Sequence, residues 1–428
     1  MESIEFANKN IGVASKTDEV IESNHQQKLQ DVAADFNYGN AANQIEMLNG
    51  QVLHENDFTG AGMQIAVIDA GFPNVNTLSA FSRIRDNNQI LGGYDFVDRS
   101  EDFYGDHSHG THVLSDIAGY IDNEFVGTAP DASFYLFRTE DSGSETPLEE
   151  TLWVEAAERA DSLGVDVINT SLGYTTFDNS NYNYTYADMD GETTFISRGA
   201  KIAASKGMLL VTSAGNSGSS AWNYIGAPAD VDGVFSIGAV DANENIASFS
   251  SFGPTSDGRI KPDVLAQGRN AYIINYITGN SSLSNGTSFS SPIMAGLMAC
   301  FWQAFPNKTN FEIMQMVRET GDRYSNPAAQ YGYGVPDFEL AYNSGLSIDD
   351  ILNTSINIYP NPVSDSIFIQ GVDSGNLEYE IYTLLGEKVD SGVLNSNEID
   401  VSGLVSGLYF LNIYVEEGNQ QLYKIVKE

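Results

Sequence analysis

Between residues 63 and 240 the chain passes through five apolar stretches, at 63–70, 132–138, 165–171, 208–214 and 233–240. Runs of this length without polar alternation read as strands buried on both faces, and the Val and Ile in them suit a pleated sheet. The intervening stretches follow a different period. In residues 148–163, Leu152, Ala156, Ala160 and Leu163 return every three or four positions, and residues 193–206 repeat the pattern. Strands alternating with helices predict βαβ units, hence an α/β fold with a parallel sheet and helices on both faces. In such sheets ligands meet the loops at the C-terminal ends of the strands.

A further helix is predicted from Ser288 onward, where Ile293, Ala295, Gly296, Leu297, Ala299, Cys300 and Phe301 leave almost no polar face. A helix apolar all round is buried all round. The run before it, NGTSFSSP, offers Gly286 as a turn and Thr287 as a cap, with Pro292 read as sitting early enough for its missing N–H to be tolerated. Beyond residue 345 the texture changes to about seven short alternating runs broken by Gly and Pro, the pattern of a small β-sandwich. The expected organisation is a polar lead-in over 1–44, an α/β domain over 45–345, a linker over 346–354 and an all-β domain over 355–428.

Composition narrows the partners. Of 428 residues, 42% are hydrophobic, enough for a folded core, and the net charge of -38 opposes binding to nucleic acid or an anionic membrane surface. The single cysteine, Cys300, rules out an internal disulfide, and no apolar stretch is long enough for a membrane span. The first twenty residues have neither a basic nor an apolar signal region, so no secretory leader is visible.

Four places carry chemistry. Asp69 closes the apolar run IAVIDAGF, where a carboxylate is costly unless bonded. His107, His109 and His112 crowd the stretch GDHSHGTHV, with a spacing open to zinc ligation, to a solvated loop or to acid–base work. Asn216 follows a strand in SAGNSG, and Ser288 stands at a helix start, where N–H groups favour developing negative charge. The order Asp, His, Ser is one of those known for a serine nucleophile activated by an imidazole that a carboxylate orients.

With AVIDAG, HGTHV, NTSLG, SAGNSG, FSSFGPTSDGRIKPDVLAQG and NGTSFSSP in order, residues 45–345 resemble the subtilisin-like serine peptidases, the subtilase family. The resemblance implies that Asp69 orients His109, that His109 takes the proton of Ser288, and that Asn216 with the Ser288 N–H binds the oxyanion. It implies that Ser171, Leu172, Gly173, Ala214 and Gly215 pair with an extended substrate, and that Gly226 forms the floor of the main specificity pocket. His112 becomes a packing residue and His107 an exposed neighbour. Two departures, Ala70 directly after Asp69 where many relatives have Ser or Thr, and Leu114-Ser115 after HGTHV, remove no reacting group. No cofactor is required for the chemistry. The segment after Asp69 lacks the calcium-binding pattern frequent in relatives, while Asp188, Asp190 and Glu192 offer calcium oxygen ligands in what otherwise reads as a solvated turn.

The runs IYPNPVSDSIFIQ and GLVSGLYFLNIYV resemble the C-terminal sorting domain of bacterial proteins exported by the type IX, or Por, secretion system. That implies a secreted or surface protein, with a leader and pro-region upstream of Met1. The expectation is a monomeric secreted endopeptidase acting on protein chains through an acyl-enzyme. The competing expectation is a catalytically idle subtilase fold serving as a surface binding or adhesion module.

Overall fold

The computed structural model describes residues 36–346, 357–370, 377–383, 388–394, 397–415 and 419–428. Most of the polar lead-in and the linker lie outside these residues. The chain divides into two units, Met1–Ser344 and Gly345–Glu428.

Seven strands build the central sheet of the first unit: β1 (Gln64–Asp69), β2 (Ile90–Asp95), β3 (Ser133–Arg138), β4 (Val167–Thr170), β5 (Leu209–Ser213), β6 (Val234–Val240) and β7 (Val264–Gln267). Their order is β2-β3-β1-β4-β5-β6-β7, and every pairing is parallel. Both faces are covered, and alternate residues of one strand serve them in turn. Ile65 and Val67 join a core with helices α1 (His109–Ala118), α4 (Thr287–Ala304) and α5 (Asn310–Glu319). Ala66 and Ile68 join the other core, with α2 (Pro147–Leu163) and α3 (Phe195–Ser205).

The helix starts follow local chemistry. Thr146 and Glu149 form a reciprocal capping box ahead of Pro147, and Thr194 accepts the Ser197 N–H at the start of α3. Leu163, counted with the apolar stripe, is instead exposed at the end of α2. Helix α4 is buried from Thr287 to Trp302 and crosses β4 to β7. Its start differs from the sequence reading. Gly286 is the capping residue, Thr287 is already helical, and Pro292 is the sixth residue of the helix. There the ring removes the hydrogen bond that would have gone to the carbonyl of Ser288.

The C-terminal unit has seven described strands, β10 (Asn357–Tyr359), β11 (Ser366–Gln370), β12 (Leu377–Thr383), β13 (Lys388–Leu394), β14 (Glu398–Asp400), β15 (Gly407–Val415) and β16 (Asn419–Lys427), after a hairpin of β8 (Arg269–Ile274) and β9 (Ser281–Asn285) in the first unit. They form two antiparallel sheets, β10-β11-β14 and β13-β12-β15-β16. Ile367, Ile369 and Ile399 from one sheet and Ile381, Leu411, Ile413 and Ile425 from the other share a core, as in a sandwich.

Candidate active site

Asp69 ends β1 at the C-terminal edge of the sheet and is 1% exposed. Its Oδ1 accepts the Ala70 N–H at 2.7 Å, and His109 Nδ1 lies 2.8 Å from Oδ1 and 3.0 Å from Oδ2. His109 is the first residue of α1, so this contact needs the helix start to press against the end of β1. Gly110 permits it, because a Cβ there would stand 2.4 Å from the Gly71 carbonyl oxygen and 3.0 Å from Cβ of Asp69. Gly71 is equally constrained, with φ of 140° and a hypothetical Cβ only 2.3 Å from the Gly105 carbonyl oxygen.

Burial disfavours the imidazolium of His109, but the charge and hydrogen bond of Asp69 outweigh it, helped by the more distant Glu140, so its pKa is raised above the ordinary imidazole value. His112, three residues on, behaves in the opposite way. Burial and the neighbouring His109 push its pKa down to about 4, its Nε2 lacks a hydrogen-bond partner among the described residues, and its ring meets Tyr276 edge-on. His107 is exposed, and its Nδ1 accepts the His109 N–H at 3.3 Å. Among the described residues the three imidazoles do not gather around one point, so this cluster does not fit a zinc centre.

Ser288, 8% exposed, is the second residue of α4. Its hydroxyl donates to the Ser171 carbonyl at 3.2 Å, and no hydrogen bond joins it to His109 among the described residues. The ring centre of His109 lies 6.1 Å from that of Phe289, the residue after Ser288. The Ser288 carbonyl, freed by Pro292, accepts the Ser171 hydroxyl at 3.0 Å, and Ser171 Oγ in turn accepts from Asn169. Ser291 Oγ also reaches the end of β4, donating to Asn169 Oδ1 at 2.9 Å.

Asn216 is oriented by the same helix. Its Oδ1 accepts both the N–H and the hydroxyl of Thr287, at 2.8 and 3.1 Å. That fixes the amide, and leaves Nδ2 without an acceptor among the described residues. The Ser288 N–H is also unbonded, as the first-turn N–H groups of a helix often are. Two free donors thus flank the Ser288 hydroxyl.

Ser171, Leu172, Gly173, Ala214, Gly215, Asn216, Gly226 and Ser288 line one cavity of about 160 Å³. Beside it, Tyr174 and Ala227, chain neighbours of the lining residues Gly173 and Gly226, exchange backbone hydrogen bonds. Ser213 and Ser217 of the SAGNSG run also line it, and the sequence reading missed Thr175, Tyr224 and Ser251; no charged side chain contributes. Ser251 lies in the run FSSFGP, whose sequence pattern gave it no role.

Asp188, Asp190 and Glu192 do not converge. Asp188 accepts from Thr185, Asp190 from Glu192 and Thr193, and Glu192 pairs with Lys201. Among the described residues, carboxylate oxygens of Asp95, Asp98 and Asp106 do lie within 4.8 Å of one another, around Arg138.

Residues 60–334 match the model of the subtilase family. The chain belongs to the subtilase family, and with it to the subtilisin-like serine peptidases. Residues 357–428 match the secretion system C-terminal sorting domain, which marks a secreted or cell-surface protein. The chain is 32% identical over 277 residues to a thermophilic serine proteinase of Bacillus sp. (strain AK1), covering 64% of this chain and 60% of that one. It is 30% identical over 301 residues to subtilisin DY of Bacillus licheniformis, covering 69% and 97%. The structure of MycP3 protease from the type VII (ESX-3) secretion system matches with a TM-score of 0.56 at 21% identity, over 74% of this chain and 90% of the other, and supports the fold. No helix among the described residues is long and apolar enough to cross a membrane.

Proposed function

We propose that this subtilase is a secreted endopeptidase in which Ser288 attacks the peptide carbonyl, His109 carries the proton and Asp69 holds the imidazole. The observation that carries this reading is the double contact of Asp69 with His109 Nδ1, which leaves Nε2 as the basic nitrogen. The Ser288 hydroxyl has to turn from the Ser171 carbonyl to that nitrogen, as catalytic hydrogen bonds often tighten only when substrate arrives. Asn216 Nδ2 and the Ser288 N–H then bind the oxyanion. Labelling with a fluorophosphonate tests the reading, because the modified peptide must contain Ser288 and casein hydrolysis must stop in parallel; no modification of Ser288 and no hydrolysis by the matured protein favours the adhesion-module alternative.

Asn216→Ala is expected to lower kcat by about a hundred- to a thousandfold, a magnitude taken from the equivalent donor of subtilisin, with little change in KM. Steady-state kinetics checks the split, and a defect confined to KM contradicts the role.

The extended substrate pairs with the segments at 171–173 and 214–215, and its side chain before the cut fills the cavity by Gly226. An ideal Cβ at Gly226 meets Thr175 Cγ2 at 3.1 Å, so a larger residue narrows the space. Gly226→Val should reduce kcat/KM for substrates with phenylalanine at that position by about tenfold or more relative to alanine. Unchanged selectivity in a peptide series would place the pocket elsewhere. The sorting domain directs export through the type IX machinery.

A further inference from the structure

Arg138 is the last residue of β3 and the in-register neighbour of two acids at once, Asp69 on β1 and Asp95 on β2. By the two-residue strand period all three project to the side of Val67 and Leu136, the side on which α1 packs. A guanidinium between two carboxylates has a choice of partner. It takes Asp95: Nη1 lies 2.7 Å from Asp95, 2.7 Å from Asp98 and 2.8 Å from Asp106. Asp69 keeps its oxygens for Ala70 and His109.

Asp98 and Asp106 belong to the segment joining β2 to α1, and Asp106 is the third residue before His109. That segment is laced to the residues after Asp69. Asp106, at φ of 66°, forms a bridge with Gly71, and the His107 N–H donates to the Ala70 carbonyl at 3.3 Å. The side chains of Arg138 and Asp95 are 5% and 4% exposed, so their pairing is strongly held and breaking it strands a buried charge.

We propose that Arg138 is a positioning residue for the reaction: gripped by Asp95, Asp98 and Asp106, it fixes the loop that delivers His109 and is kept from competing for Asp69. The inference rests on the reading of Asp69, His109 and Ser288 as the reacting set. It also sets a charge balance. The groups facing His109 are Asp69 from β1, Glu140 beyond β3, and His107 and His112 from its own segment; behind them stand one guanidinium and three carboxylates.

The test is the pH profile of kcat/KM for the full chain on a peptide substrate, with fluorophosphonate labelling to count competent sites. Arg138→Gln removes a positive charge and loosens the loop. Its acid limb should move up by a few tenths of a pH unit, and every folded molecule should still label, but about ten- to a hundredfold more slowly. KM should stay within about twofold, because the substrate segments follow β4 and β5. Asp106→Asn removes a negative charge at a left-handed position that asparagine tolerates, and its acid limb should move down by a few tenths of a unit. Arg138→Lys, which keeps the charge, should restore the limb. A merely structural role would lower the number of labelled sites and move neither limb, and that result overturns the proposal. Should Arg138→Gln fail to fold, an unmoved limb in Asp106→Asn overturns it alone. Ser288→Ala separates the two levels. Labelling that survives it defeats the underlying reading, whereas Ser288-dependent labelling with unmoved limbs defeats only the inference.

Discussion

Replacing Ser288 with alanine should abolish fluorophosphonate labelling and reduce kcat by about a millionfold, the scale known for the equivalent deletion in subtilisin. The size follows from what is lost. Without the hydroxyl no acyl-enzyme forms, and the imidazole and carboxylate have no proton to move. What survives is the pair of free donors, Asn216 Nδ2 and the N–H of residue 288, with the binding cavity, and these sustain about a thousand- to ten-thousandfold acceleration over water. The fold should be indifferent to the change. The hydroxyl makes one hydrogen bond, to the Ser171 carbonyl at 3.2 Å, and the shorter bond from Ser171 Oγ to the carbonyl of residue 288 does not depend on it. Thermal unfolding should therefore stay within a few degrees of the parent, so that lost activity cannot be ascribed to lost structure. Undiminished hydrolysis by the purified variant would remove Ser288 from the reaction.

The residues proposed to react were readable as candidates because each sits where a motif also meets a local rule: Asp69 at a strand end, His109 and Ser288 at helix starts, Asn216 in a glycine-flanked turn. Strands buried on both faces were legible for the same reason, since β-branched apolar runs leave little alternative. Two strands were not read from this pattern. β2 carries Gly92 and Gly93, which dilute its apolar run, and β7 is only four residues long within the motif KPDVLAQG. The start of α4 was misread because Gly286, Thr287 and Pro292 suit ordinary capping by type, and their actual roles depend on partners 70 to 120 positions away, at Asn216 and Ser171. The Arg138 network was invisible for a related cause. Its logic is sheet register, with β3 inserted between β2 and β1, and no linear spacing reveals that Asp69, Arg138 and Asp95 stand side by side.

Asp69→Asn should lower the plateau of kcat by about ten-thousandfold and at the same time move the acid limb of the pH profile downward. Both effects come from one carboxylate. In the proposed mechanism His109 must be neutral to accept the Ser288 proton, so activity should rise with pH through the His109 pKa, which burial lowers and Asp69 raises above the ordinary value. Asparagine preserves the shape but removes the charge. Burial is then opposed only by weaker influences such as Glu140, the imidazolium becomes less stable, and the limb falls to lower pH. The plateau collapses because an amide can hold Nδ1 in either of two senses, and the one that donates to it puts the proton on Nε2, where the base has to be. It collapses further because no negative charge offsets the imidazolium formed during attack. A variant that was simply misfolded would show a lower plateau with the limb unmoved. A variant in which neither quantity changes would mean that the contacts at 2.8 and 3.0 Å between Asp69 and His109 serve packing alone.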